Sequence, residues 1–265
     1  MPAKTKNPNR RETSRTLDRR ARNPKSTSTR PKPKLACPIV GVGGSAGGFE
    51  AAIDLLGHLP QKTGMAYVIV QHLDPYHASR LPSLLGRATQ MPVVELSQRT
   101  RPQPDTVYVQ PPNKCVICKN GDLTLIRRVE RMSLAIDHFF ESLAEEQGRR
   151  AIGVLLSGSG SDGTAGLRAI KAATGFTFAQ DEESAKFPSM PRNAIASGFV
   201  DAALSPKEIA AELRRIAGHP YIKKAVPEKE EQEPHIDLDD LSRIFLELRK
   251  HTGVDIHERR DRHCA

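Results

Sequence analysis

Apolar and polar positions alternate along the chain in blocks that predict strand and helix by turns from residue 37 onward. Pro38 to Val42 and Ile152 to Leu156 are short apolar runs, and Ala66 to Gln71 (Ala-Tyr-Val-Ile-Val-Gln) is nearly continuous. Continuous runs of this length read as strands covered on both faces, the pattern of a parallel sheet. Helical spacing follows each run. Residues 48–58 carry Phe49, Ala52, Ile53 and Leu56 on one face, and further helices are expected at 79–89, 133–147, 164–173, 190–197 and 206–217. Ser133 is the expected N-cap of the third helix and Ser205 that of the last, with Pro206 at its first position. Short strands are expected at 92–96, 176–179 and 200–203. Thr106 to Gln110, Lys114 to Lys119 and Leu123 to Ile126 read as a small antiparallel excursion, with turns at Pro111-Pro112-Asn113 and Asn120-Gly121-Asp122. The fold class is therefore α/β: a doubly wound, mostly parallel sheet with helices on both faces and an antiparallel hairpin excursion.

Charge changes the picture only at one end. Net charge is +9, yet residues 1–35 hold twelve Lys/Arg against two acids, whereas the rest holds 28 against 29. Residues 1–35 are also poor in apolar side chains, so they are expected to form a disordered basic tail. Such a tail reads as a solvated arm or as a contact for acidic surfaces. The remaining organisation is a domain at 36–220, a charged linker at 221–235, and a short amphipathic helix followed by a polar end at 236–265. Nothing resembles a secretory h-region or a run of about 18 apolar residues, so no membrane insertion and a cytoplasmic location are expected. Cys115-Val-Ile-Cys118 lacks a second pair with metal-ligand spacing and sits in a strand-like run, so the cysteines are expected to be structural.

The chemistry gathers after three strands. Gly41-Val-Gly-Gly-Ser-Ala-Gly-Gly48 follows the first, His72 follows the second, and Ser157-Gly-Ser-Gly-Ser-Asp-Gly163 follows the strand at 152–156. In an open parallel sheet such loops share one edge, where ligands bind. A serine needs an imidazole to take its proton, and the imidazole needs a carboxylate to fix its tautomer. Ser45, His72 and Asp162 supply those three types. Gly41-x-Gly43-x-x-Ala46 also satisfies a dinucleotide fingerprint, but the second strand ends in Gln71-His72 rather than in an acid for a ribose.

Five ordered segments carry a resemblance. They are Val42-Gly-Gly-Ser-Ala-Gly-Gly48, Val70-Gln-His-Leu73, Val107-Tyr-Val-Gln-Pro-Pro-Asn113, Leu156-Ser-Gly-Ser-Gly-Ser-Asp-Gly163 and Met190-Pro-Arg-Asn-Ala-Ile195. Across residues 37–220 the chain resembles the catalytic domain of the chemotaxis protein-glutamate methylesterases, the CheB family. The resemblance implies Ser45 as nucleophile, His72 as general base and acid, and Asp162 as orienting carboxylate. Backbone support for the oxyanion is expected around Gly44, Ala46, Ser159 and Gly160. It further implies methanol release from glutamate methyl esters on the cytoplasmic helices of chemoreceptors, glutamine deamidation as a companion activity, and neither cofactor nor metal. Ala46 stands where the family commonly has Thr, and Ser159 where it commonly has Met. With those departures, a non-catalytic signalling adaptor built on the same fold stays open as an alternative, as does a nucleotide-binding module. The usual family member also carries an N-terminal phosphoacceptor domain, for which this sequence has only the basic tail. Leu238 to Ile256 resembles the opening helix of the chemotaxis receptor methyltransferases. The chain therefore reads equally as a truncated hybrid or as one with a C-terminal helix for signalling partners.

Overall fold

The computed structural model describes residues 37–71, 81–127 and 134–219. The basic tail, His72, Ser133, Cys264 and the C-terminal linker and helix lie outside the described residues.

Nine strands and six α-helices follow one another in these residues. In chain order they are β1 (Ile39–Gly44), α1 (Gly48–Gly57), β2 (Ala66–Gln71), α2 (Leu81–Ala88), β3 (Val93–Glu95), β4 (Thr106–Val109), β5 (Lys114–Lys119), β6 (Asp122–Arg127), α3 (Ala135–Gln147), β7 (Ala151–Leu155), α4 (Thr164–Ala172), β8 (Phe176–Gln180), α5 (Ser189–Ala196), β9 (Ala202–Leu204) and α6 (Pro206–Ala217). Seven strands form one sheet in the order β3-β4-β2-β1-β7-β8-β9, and every pairing in it is parallel. The order departs from β1 in both directions, so the topological switch point lies between β1 and β7.

Alternation along β1 divides the core. Val40 and Val42 face a cluster with Ala52, Leu55 and Leu56 of α1, Leu85 of α2, and Ile209 and Leu213 of α6. Ile39 faces the opposite cluster, with Ile136, Phe139 and Phe140 of α3, Leu167 and Ile170 of α4, and Met190 of α5. Helices thus cover both faces, and the central strands are buried except at Gln71, the last residue of β2, as their continuous apolar runs require. On the α3 side of β1, Gly41 and Gly43 leave the surface low. A Cβ at Gly41 would fall 2.8 Å from ring carbons of both Phe139 and Phe140, and one at Gly43 would fall 2.4 Å from Ile136 Cγ2. The missing side chains let α3 lie directly on the strand that carries the serine turn.

Three details refine the sequence reading. Thr106–Val109 belongs to the main sheet as parallel β4, paired with β2 and β3, so only β5 and β6 form the antiparallel excursion. The N-terminus of α3 is capped from outside its own sequence, because Leu134 at the cap position offers no side-chain acceptor. Both Cys115 and Cys118 are buried, reduced and packed in the α3-side cluster. Burial raises the Cys118 thiol well above its ordinary range and Cys37 to about 11. The last helix starts as expected: the Glu208 N–H donates to Ser205 Oγ and the Ser205 N–H donates to Glu208, a full capping box with Pro206 following. Among the described residues no helix is long and apolar enough to cross a membrane.

Candidate active site

Ser45 stands on the turn between β1 and α1, at the switch point. Its backbone N–H donates to the Ser157 carbonyl (3.0 Å), so the loop after β1 is tied to the loop after β7. The turn closes through a left-handed Gly47 (φ 70°), and the Gly48 N–H donates back to the Ser45 carbonyl (2.9 Å). A side chain at Gly47 would be strained in this conformation and would also place its Cβ 2.7 Å from Ser157 Oγ. The result is a sharp strand-to-helix elbow with Ser45 half-buried and Ala46 exposed at its tip. Among the described residues no acceptor takes the backbone N–H of Ala46.

Ser157 holds the elbow from beneath. Its hydroxyl donates to the Ala46 carbonyl (2.9 Å) and accepts from the Phe187 N–H (2.9 Å), while its own N–H donates to Gln180 Oε1 (2.8 Å). The next residue, Gly158, lies against the serine: a Cβ there would fall 2.9 Å from Ser45 Cβ and 2.4 Å from Met190 Cε. Its N–H donates to the Phe187 carbonyl (2.9 Å), and its carbonyl accepts from the Met190 N–H (3.0 Å). Ser159 and Gly160 run outward on the exposed part of this loop, where Asn193 Nδ2 donates to the Gly160 carbonyl (2.8 Å). Gly44 is buried as the last residue of β1, opposite Gln71, whose amide donates to the Ser45 carbonyl (3.4 Å).

Asp162 is buried at the far end of the β7 loop. One oxygen accepts from the Ile136 N–H (3.0 Å) and the other from the Asp137 N–H (2.9 Å), the second and third residues of α3. These are two of the donors that a helix leaves unpaired at its start, so Asp162 acts as the missing N-cap of α3 and is oriented by it. Asp137 returns the favour: its carboxylate accepts from the N–H of Gly166, third residue of α4 (2.7 Å), the helix that begins after Asp162. Burial pushes the Asp137 carboxyl above its ordinary 3.8; the Gly166 N–H opposes this and the Asp162 charge adds to it.

The structure therefore brings Ser45 to the carboxyl edge of β1 and fixes Asp162 in the loop after its neighbour β7. His72 follows directly after Gln71, the last residue of β2, which neighbours β1 on the other side. The end of β2 carries an amide committed to the elbow, where the dinucleotide reading asks for an acid. Sequence reasoning missed Ser157, Gln180 and Asp137, whose roles arise from contacts between distant segments. Met190 and Asn193 lie in a segment singled out by sequence without an assigned role, and both brace the β7 loop.

Comparison with known proteins shows what the chain and its fold are similar to. The family model described as CheB methylesterase matches residues 40–213. A protein of Photorhabdus laumondii subsp. laumondii named protein-glutamate methylesterase/protein-glutamine glutaminase is 38% identical over 177 residues, covering 64% of this chain and 50% of that protein. An "Uncharacterized 104.1 kDa protein in hypE 3'region" of Rhodobacter capsulatus is 45% identical over 130 residues, covering 49% of this chain and 14% of that protein. The CheB methylesterase catalytic domain of Thermotoga maritima matches in structure with a TM-score of 0.64 at 26% identity, covering 69% of this chain and 100% of that domain. The chain spans about half the length of the protein-glutamate methylesterases it matches.

Proposed function

Because the chain belongs to the CheB methylesterase family, we propose that it hydrolyses glutamate methyl esters on chemoreceptors through Ser45, His72 and Asp162. The observation that carries this reading is the switch-point geometry: an elbow serine bolted to the β7 loop, and in that same loop a buried carboxylate held by two backbone N–H groups. Ser45 Oγ attacks the ester carbonyl carbon as His72 takes its proton, and Asp162 holds the imidazole in the productive tautomer. The negative oxygen that forms needs backbone donors. The free N–H of Ala46 is the first of these, and donors from the outer β7 loop at Ser159 and Gly160 complete the set; each donor of this kind contributes about 3–4 kcal/mol to the transition state. Because the donor is backbone, alanine in place of threonine at position 46 keeps it. His72 returns the proton to the departing methoxide, giving methanol and an acyl-serine. Water, deprotonated by His72, then releases the glutamate carboxylate. The same sequence of steps on a glutamine side chain releases ammonia, so deamidation belongs to the same proposal.

The test is methanol release from a methylated receptor fragment. The native chain releases methanol, Ser45→Ala abolishes release, and Asp162→Asn lowers kcat by on the order of 10⁴-fold by forcing the wrong imidazole tautomer. A native chain that leaves the ester intact while a control esterase cleaves it overturns the reading in favour of a signalling adaptor.

A further inference from the structure

Among the described residues four large apolar side chains are exposed: Leu84, Val94, Leu134 and Phe187. Two of them, Leu84 and Val94, sit on α2 and the edge strand β3. The other two flank the candidate active site.

Phe187 is 41% exposed although its backbone is among the most firmly held in the site. Its N–H donates to Ser157 Oγ and its carbonyl accepts from the Gly158 N–H. Its ring borders the elbow, with Cδ2 only 3.2 Å from the place a Cβ would occupy on Gly47, two residues after the serine. Leu134, 43% exposed, stands two residues before Ile136, whose N–H grips Asp162. One apolar side chain therefore borders the nucleophile turn and the other the start of the helix that orients the acid. The charged side chains nearby already have partners: Lys186 faces Glu50 (3.9 Å) and Arg192 faces Glu182 (2.6 Å). Lys186 Nζ also lies 6.0 Å from the centroid of the Phe187 ring, and the remaining exposed part of that ring is apolar surface on firmly held backbone, the arrangement that anchors a protein partner at low ordering cost.

We propose that Phe187 and Leu134 are the anchors that seat the substrate protein, clasping apolar side chains on either side of the modified glutamate so that its ester lies over Ser45. This rests on the esterase reading only for the identity of the occupant. An ester on a side chain is too small to be selected by itself, and a protein substrate brings apolar neighbours on its own helix. The paired charges on the rim then serve solubility and exclude little.

The experiment measures binding without turnover. A methylated receptor fragment carrying a fluorophore is titrated with the full chain in a Ser45→Ala background, and the anisotropy gives Kd. Phe187→Ala and Leu134→Ala each weaken binding by about tenfold, Phe187→Leu stays within about threefold, and Val94→Ala, which removes an equally exposed side chain on the distant edge strand, stays within about twofold. Thermal midpoints of the variants match the parent, because each truncated side chain is exposed. Binding unchanged by both anchor substitutions, or weakened as much by Val94→Ala, overturns the proposal, as does absence of binding by the parent. Methanol release by the native chain is scored separately. A chain that binds through Phe187 and Leu134 but releases none keeps the anchors and loses the esterase reading.

Discussion

At the scale of single residues, the site depends on side chains that touch no reacting atom. Ser157 joins three segments through one hydroxyl and one amide. Ser157→Ala leaves the Ala46 carbonyl and the Phe187 N–H without their partner, a cost of about 1–3 kcal/mol read as a lower urea midpoint. Gly158→Ala separates stability from activity more sharply. The added methyl meets Met190 Cε at 2.4 Å and Ser45 Cβ at 2.9 Å. The thioether end of Met190 can turn aside, but Ser45 can yield only by moving the elbow. Stability falls by about 1–3 kcal/mol, while kcat for methanol release falls by about 10²-fold, the scale expected for displacing a nucleophile by roughly an ångström. A variant that loses stability without losing kcat refutes the tight elbow.

At the scale of elements, α3 and α4 exchange caps. Each helix starts without a side-chain cap of its own, and each receives a carboxylate from the segment that opens the other. The exchange takes the Asp137 carboxyl into the interior, where burial, with the Asp162 charge adding to it, raises its pKa. A carboxyl with a raised folded-state pKa holds its proton more tightly in the folded chain. Its contribution to stability is therefore full below the unfolded value and declines as pH rises through the folded value. The uncharged Asp137→Asn variant lacks that decline. The stability of the native chain minus that of the variant is expected to fall between about pH 4 and about pH 7, measured by urea unfolding at both. A difference that rises over the same interval contradicts the assignment. Sequence reveals little of this exchange. Asp162 is legible because it ends a loop after a strand, but Asp137 reads as one more polar position on an amphipathic helix. A polar side chain buried by a partner 29 positions away leaves no mark on local periodicity. The same blindness misassigned β4: the run Thr106–Val109 announces a strand, yet only tertiary pairing decides that it joins β2 and β3 in parallel. The central strands β1, β2 and β7 were legible because burial on both faces writes itself as unbroken apolar sequence.

At the scale of the whole molecule, the two candidate catalytic groups are linked through the packing of one helix on one strand. β1 carries Ser45 at its end, and its Gly43 gives up its side chain to Ile136, the residue whose N–H holds Asp162. Two residues earlier on β1, Gly41 makes the same concession to Phe139 and Phe140, which follow on α3 the two residues whose N–H groups hold the acid. The pair permits a comparison in which packing strain is similar and the distance to the site differs. Gly41→Ala and Gly43→Ala each force α3 away from the sheet and cost about 1–3 kcal/mol in stability, an overpacking penalty in a dense core. Gly43→Ala also shifts Ile136 and with it the grip on Asp162. It is expected to lower kcat by about tenfold or more beyond Gly41→Ala. Equal kcat in two variants of equal stability would mean that Asp162 keeps its orientation when the first turn of α3 moves. The carboxylate would then be held by its own loop, and the cap exchange would serve the fold alone.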